Sequence, residues 1–220
     1  MSQRVAAHEA PPIGQIGRDK SIPQRRMRVG DVDDTHVIAE VSYSSAAEPF
    51  QRHRSTRIRI AAWPRRVVVE AVQDPAARWR DPAGLIHRLS DLDVQTLGHV
   101  HAGVVTADSR FRQWDFADRG IGRDKLPPWV MARLTRLRLA ELGQSRQQPA
   151  TRPGQNLAHL VTPYVLTDDG RYLVESLRFG EARCRACGCT EDRACPGGCW
   201  WVPDPEMGDL CSTCQAILGE

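Results

Sequence analysis

All seven cysteines of this 220-residue chain lie in its last 37 residues, from Cys184 to Glu220. Four of them form two Cys-x-x-Cys pairs, Cys184/Cys187 and Cys211/Cys214, with 23 residues between the pairs. Two thiolate pairs at a spacing close to this one can close around a single tetrahedral zinc ion. A segment this small lacks the apolar core to fold alone, so the pattern predicts a C-terminal module whose fold is stabilised by a bound zinc ion.

Of the whole chain, 41% is apolar, which is somewhat low for a globular protein, and 26% is charged. No apolar run approaches the length of a membrane span, and the N-terminal residues lack the hydrophobic core of a signal peptide. We therefore expect a cytoplasmic protein with no membrane partner. In a reducing compartment, paired cysteines hold metal more often than they form disulfides.

Cys189, Cys195 and Cys199 are left over by the two pairs. They can be small buried thiols beside the zinc site. They can also bind a second metal, which requires a shared thiolate or a nearby carboxylate as the fourth ligand. An iron–sulfur cluster is a third interpretation, although the cysteine spacings match neither common ferredoxin pattern.

The order of features in the tail resembles that of the treble-clef zinc fingers. A knuckle at 184–188 is followed by a β-type segment at 199–202 and by a short helix whose first turn carries the second cysteine pair. The tail sequence CRACGCT, ACPGGCWWV and DLCSTC is also similar to the C-termini of uncharacterised phage and prophage proteins. This resemblance covers about 31 residues; it implies a phage-type genomic setting and no particular activity.

The rest of the chain predicts a body of mixed α/β or α+β class. By composition the chain divides into a mobile N-terminal arm at 1–30, the body at 31–150, a linker and β-hairpin at 151–180, and the zinc-binding module at 181–220. Residue patterns predict strands at 36–41, 67–72 and 97–105, a short helix at 82–89, a longer helix from Pro127 to about Leu142, and a hairpin at 161–175.

Positive charge is concentrated outside the tail. The net charge is +3, but the residues from Cys184 onward carry −4 and the preceding ones +7. Residues 51–66 contain six arginines and no acid. Arginines on a strand can contact phosphates and an aromatic ring can stack on a base, whereas a solvated basic face is the alternative. The candidate nucleic-acid-binding residues are Arg52, Arg54, Arg57, Arg59 and Trp63.

His99 and His101 stand two residues apart in the predicted strand at 97–105, so both would face one side of it. Such a pair can ligate a catalytic metal, but no further histidine motif completes the set. The sequence also contains no phosphate loop, dinucleotide fingerprint, nucleophile elbow or His-Glu-x-x-His motif. These absences favour a protein that is not an enzyme.

We expect a zinc-containing accessory protein of phage or prophage type, with nucleic acid as the partner of its basic body and zinc as a structural cofactor. A protein-interaction adaptor that binds no nucleic acid is the second interpretation. A metal-dependent hydrolase or nuclease using His99 and His101 is the third. An affinity for nucleic acid that falls with salt separates the first interpretation from the second.

Overall fold

The computed structural model describes residues 10–43, 51–81, 83–108, 113–116, 128–148, 159–202 and 209–218. The chain forms two compact units. The first contains residues 1–74 and 120–133, and the second contains residues 75–119 and 134–220. The predicted boundaries at 31–150 and 181–220 are therefore wrong, because the cysteine-rich tail belongs to the same unit as residues 75–119.

The elements run in chain order as β1 (Gln15–Asp19), β2 (Arg26–Val32), β3 (His36–Ser42), β4 (Gln51–Arg59), a 3-10 turn (Ile60–Ala62), α1 (Trp63–Arg66), β5 (Val67–Val72), β6 (Ala77–Arg80), β7 (Ile86–Leu89), α2 (Asp91–His101), β8 (Val105–Asp108), β9 (Gln113–Phe116), α3 (Pro128–Arg136), β10 (Ala140–Leu142), β11 (Arg146–Gln148), β12 (His159–Leu166), α4 (Asp168–Phe179), β13 (Trp201–Val202), β14 (Leu210–Cys211) and α5 (Ser212–Leu218). The described strand pairs are antiparallel, which makes the fold mixed α+β. None of the described helices combines the length and the apolar character that a membrane crossing requires.

The first unit is built on one five-stranded sheet with the order β4-β3-β2-β1-β5. Alternate residues of β2 and β3, such as Met27, Val37 and Ala39, are buried on one face, as the two-residue period of a strand requires. The 3-10 turn and α1 connect β4 to β5, and Trp63 on α1 is buried in the same core. The strands predicted at 36–41 and 67–72 are confirmed as β3 and β5.

The mobile arm predicted at 1–30 is wrong for residues 10–30, where β1 and β2 are interior strands of this sheet. Met27 is fully buried, and Arg28 extends to the buried Glu40 at 2.6 Å instead of into solvent. The prediction failed because composition does not distinguish arginines that pair with acids on neighbouring strands from those of a disordered basic segment. Residues 1–9 lie outside the described residues.

The second unit contains a sheet with the order β10-β12-β8-β9, and β11 also pairs with β12. The predicted hairpin at 161–175 is right in its first half, which is β12, and wrong in its second, which is helix α4. Thr167 caps this helix by accepting the Gly170 N–H at 3.1 Å. Gly170 is required there because a Cβ atom would overlap the Leu139 carbonyl.

The strand predicted at 97–105 is also wrong, since most of it lies in α2. Ser90 and Asp93 form a capping box at the start of this helix. Leu92, Leu97 and Val100 are buried at a spacing that places them on one helix face. The helical period of these buried residues outweighs the β propensity of the segment that follows them.

The described part of the helix predicted at 82–89 is instead a turn followed by β7, which pairs with β6 in a β-hairpin. Asp81 organises the turn between them, because its carboxylate accepts the Leu85 N–H at 2.9 Å and lies 2.9 Å from His87 Nε2. Asp81 therefore stabilises a turn and not the start of a helix.

The helix predicted from Pro127 to about Leu142 is described as α3 from Pro128 and ends at Arg136, short of Leu142; Pro127 lies outside the described residues. Arg138 then adopts a left-handed conformation with φ 57°, and the chain continues as β10. Arg133 of α3 is only 5% exposed and forms an ion pair of 2.8 Å with the buried Asp31 of the same unit.

Candidate metal centre

The four cysteines of the two Cys-x-x-Cys pairs converge in the structure. The sulfur atoms of Cys184, Cys187, Cys211 and Cys214 all lie within 4.8 Å of one another, and all four residues are buried. Four sulfurs bound to one zinc ion at about 2.3 Å would lie about 3.8 Å apart. The Cys187–Cys211 sulfur distance is 3.8 Å, so the donor set fits a tetrahedral metal ion.

A tight turn positions the first pair. The Gly188 N–H donates to the Cys184 carbonyl at 2.7 Å, and the Cys184 N–H donates to the Cys189 carbonyl at 2.9 Å. Gly188 has φ +74°, a left-handed conformation that glycine adopts without the strain a Cβ atom would add. The turn therefore holds the sulfurs of Cys184 and Cys187 on the same side of the chain.

A short hairpin and a helix position the second pair. Cys211 lies in β14, which pairs with β13, and Cys214 lies in the first turn of α5. The Cys211 N–H donates to the Cys184 sulfur at 3.4 Å, which ties the second pair to the first. Turn, hairpin and helix thus occur in the predicted order.

A second group of sulfurs overlaps the first. Cys187, Cys189, Cys195 and Cys211 also lie within 4.8 Å of one another and are buried. The Cys195 sulfur is 3.7 Å from both the Cys187 and the Cys211 sulfurs. Of the three cysteines proposed for a second metal, Cys189 and Cys195 therefore lie in this second group. The group's other two sulfurs, those of Cys187 and Cys211, also belong to the first group.

Cys199 lies beside this group without belonging to it. Its sulfur is 3.7 Å from the Cys189 sulfur and accepts the Cys195 N–H at 3.2 Å. Cys199 is also less buried than the other six cysteines. The structure thus separates Cys199 from the two cysteines with which the sequence grouped it.

The cysteines of the cluster differ in the direction in which their pKa values are shifted. Burial alone would raise the pKa of Cys187, but hydrogen bonds from the Cys189 backbone and the neighbouring thiols lower it to about 6. Burial raises the pKa of Cys195 to about 12 and also raises that of Cys214. A bound cation would favour the deprotonated form of all the cysteines that ligate it.

Two arginines of strand β6 contact the cysteine turn, and sequence reasoning did not identify them. Arg78 donates from Nη1 to the Arg185 carbonyl, and its own carbonyl packs against Gly188. Burial alone would lower the pKa of Arg80, yet a hydrogen bond to Cys187 and the nearby negative sulfurs raise it. No motif marks these arginines, because they lie about 105 residues before the turn that they contact.

Helix α4 supports the module from another direction. Arg193 pairs with Asp169 at 2.6 Å and stacks over the Tyr172 ring with its guanidinium carbon 4.1 Å from the ring centroid. Tyr172 also hydrogen-bonds to Thr190. The cysteine-rich tail is thus built into the second unit and is not an independent module.

The residues predicted to bind nucleic acid have different environments. Trp63 is 3% exposed and donates its Nε1–H to Gln15 at 3.0 Å, so its prediction as a base-stacking residue is wrong. Arg57 is 62% exposed but forms an ion pair of 2.6 Å with Asp33, and Arg59 is exposed. The side chains of the two remaining candidates, Arg52 and Arg54, lie outside the described part of the structure.

The predicted histidine pair does not form a site. His99 and His101 lie on helix α2, where two positions apart means roughly 200° of rotation, so they point to different sides. Within the described residues, neither group of potential metal ligands includes a histidine. The prediction failed because it required a strand at a position that is helical.

The chain matches no protein-family model, no curated protein and no solved structure in the three comparisons.

Proposed function

We propose that the chain is a zinc-containing accessory protein of phage or prophage type that binds nucleic acid through its first unit. Zinc, held by Cys184, Cys187, Cys211 and Cys214 in a treble-clef-like arrangement, is structural in this proposal. A metal with four buried thiolate ligands keeps no open position for a substrate, and it supplies folding free energy rather than catalysis. The phage-type setting rests on the resemblance of the tail.

The charge difference between the two units is the observation that carries the nucleic-acid proposal. The first unit has fifteen basic and ten acidic side chains, a net charge of +5, and the second unit has a net charge of −2. Arg57 and Arg59 are exposed on β4, which is the terminal strand of the sheet. A polyanion would be attracted to the first unit, and phosphate contacts would require arginines in such exposed positions.

The proposal is tested by the salt dependence of binding. The full chain is titrated with short labelled DNA and RNA between about 50 and 200 mM salt, where binding through phosphates weakens steeply. The R57A/R59A variant should bind all sequences more weakly and reduce the slope of log K against log salt by about 2. The matched control is R171A/R178A, which removes two exposed arginines of α4 in the second unit.

A pair of aspartate variants tests whether the β4 edge is the contact surface. Asp33 holds Arg57 in an ion pair, whereas the neighbouring Asp34 is exposed and has no ion pair among the described residues. D33N keeps an oxygen that can accept the Thr35 N–H, which the native carboxylate accepts at 2.9 Å, and removes the charge that neutralises Arg57. D33N should therefore raise the affinity for nucleic acid more than D34N, which changes the net charge equally.

Equal effects of D33N and D34N would show that binding depends only on net charge and would remove β4 as the contact surface. No binding by the full chain at low salt would remove the nucleic-acid proposal. One observation favours the adaptor interpretation in that case: Val68, Val69 and Val72 are about half exposed on β5, the other terminal strand of the sheet. An exposed apolar strand at a sheet edge is a surface to which another protein can add.

A further inference from the structure

We propose that the cysteine cluster is a binuclear metal centre, in which the sulfurs of Cys187 and Cys211 bridge two divalent ions. The proposal rests on the metal-binding part of the proposed function and extends it from one ion to two. It assigns a ligand role to Cys189 and Cys195, which a single ion at the two Cys-x-x-Cys pairs leaves without one.

The two groups of converging sulfurs share two members. Cys187 and Cys211 belong to both groups, and the remaining members are different in each. Two tetrahedra that share an edge are related in the same way. They have two corners in common, and each has two further corners that the other lacks. The shared edge is the Cys187–Cys211 separation of 3.8 Å, which equals the sulfur–sulfur distance expected around one zinc ion.

The position of Cys195 distinguishes two ions from one. Its sulfur lies 3.7 Å from Cys187 and 3.7 Å from Cys211, so the three sulfurs form a nearly equilateral triangle. Such a triangle has the dimensions of one face of a tetrahedral zinc–thiolate site. Cys195 is not a member of the first group, so an ion bound by the four cysteines of that group does not account for this triangle.

The charge of the cluster also permits a second ion. One divalent ion with four thiolates and two divalent ions with six thiolates both leave a net charge of about −2. The second ion therefore recruits Cys189 and Cys195 without adding negative charge to a buried site. Both residues are at most 5% exposed, and burial of an uncompensated thiolate would be costly.

The surroundings of the bridging and terminal sulfurs are compatible with this assignment. The positive charge of Arg80 lies near the sulfurs of Cys187, Cys195 and Cys214. The Cys211 N–H donates to the terminal Cys184 sulfur. A cavity of about 400 Å³ also borders Cys189.

The test is the zinc content of the purified full chain, reconstituted with zinc under reducing conditions and measured by elemental analysis. The native chain should hold two zinc ions per molecule, and C195S should hold one. C199S is the matched control, because Cys199 lies 3.7 Å from Cys189 but outside both groups. It should retain two ions.

A spectroscopic measurement on the native chain avoids dependence on variant folding. After replacement of zinc by cadmium-113, NMR should show two cadmium resonances that are coupled to each other through the bridging sulfurs. A single resonance, or two without mutual coupling, would overturn the binuclear centre.

The possible failures are distinguishable. One zinc ion per chain that survives in C195S and is lost in C184S would overturn the binuclear centre and leave the structural zinc site intact. A folded chain that takes up no zinc would overturn both. Iron together with inorganic sulfide in the purified protein would overturn both the binuclear centre and the single zinc site, and would show that the cysteines hold an iron–sulfur cluster.

Discussion

Gly188→Ala is expected to damage the cysteine turn far more than the same change at another left-handed glycine. Gly188 has φ +74°, and an alanine there would cost about 1–2 kcal/mol in backbone strain. Its Cβ would also overlap the Arg78 carbonyl oxygen on β6, and forced overpacking adds about 1–3 kcal/mol. The total loss of stability in the second unit is therefore expected to be about 2–5 kcal/mol.

Gly180→Ala is the matched control. Gly180 ends helix α4 with φ +67°, and no atom lies within 4 Å of a Cβ built there. This variant should lose only the backbone term of about 1–2 kcal/mol. Hydrogen exchange of β6 and α4 in the full chain reports the local free energies of opening. Equal losses in the two variants would refute the inference that the cysteine turn is packed against β6.

Removal of metal with a chelator should increase hydrogen exchange in β6, α4 and α5 and leave β2 and β3 protected, because the tail shares its unit with the first set only. Arg133→Met should destabilise the first unit by about 1.5–3 kcal/mol in urea unfolding, since it removes the buried, charge-assisted hydrogen bond of 2.8 Å between Arg133 and Asp31. A loss below about 1 kcal/mol would show that this pair is not important for stability. Arg193→Met should cost only about 1 kcal/mol, because the ion pair with Asp169 is partly exposed and the stacking on Tyr172 is the larger loss.

The cysteine ligands could be predicted from sequence because their spacing is a local property of the chain. Two residues between the cysteines of each pair define a turn, and Gly188 marks the turn that needs a left-handed residue. The arginines that support the site could not be predicted. Arg78 and Arg80 are brought to the turn by the tertiary structure, and nothing in the sequence around them signals a contact so far along the chain.

The errors in the fold have a common origin in local signals that admit two structures. Thr167 followed by Asp168, Asp169 and Gly170 has the composition of a hairpin turn, but the same residues cap helix α4. Ser90 and Asp93 carried a helix-start signal that the β-prone residues after them obscured. In both places, packing within the second unit stabilises the helix, and sequence periodicity alone does not reveal that packing.

The arginine-rich segments show a different limit. Arg28 and Arg57 look equally available in the sequence, yet each is paired with an acid from another part of the first unit. Charge counts predict the net charge of a unit correctly, but they do not predict which side chains are neutralised. For that reason the expected effect of D33N depends on the structure and not on the composition.

X-ray absorption at the zinc edge of the full chain tests most directly whether the cysteine cluster is a metal centre. We expect the nearest neighbours of zinc to be four sulfur atoms at about 2.3 Å, with no nitrogen or oxygen among them. Nitrogen or oxygen neighbours would contradict a centre built only from the buried cysteines. So would a folded chain that holds no metal and whose cysteines are joined as disulfides.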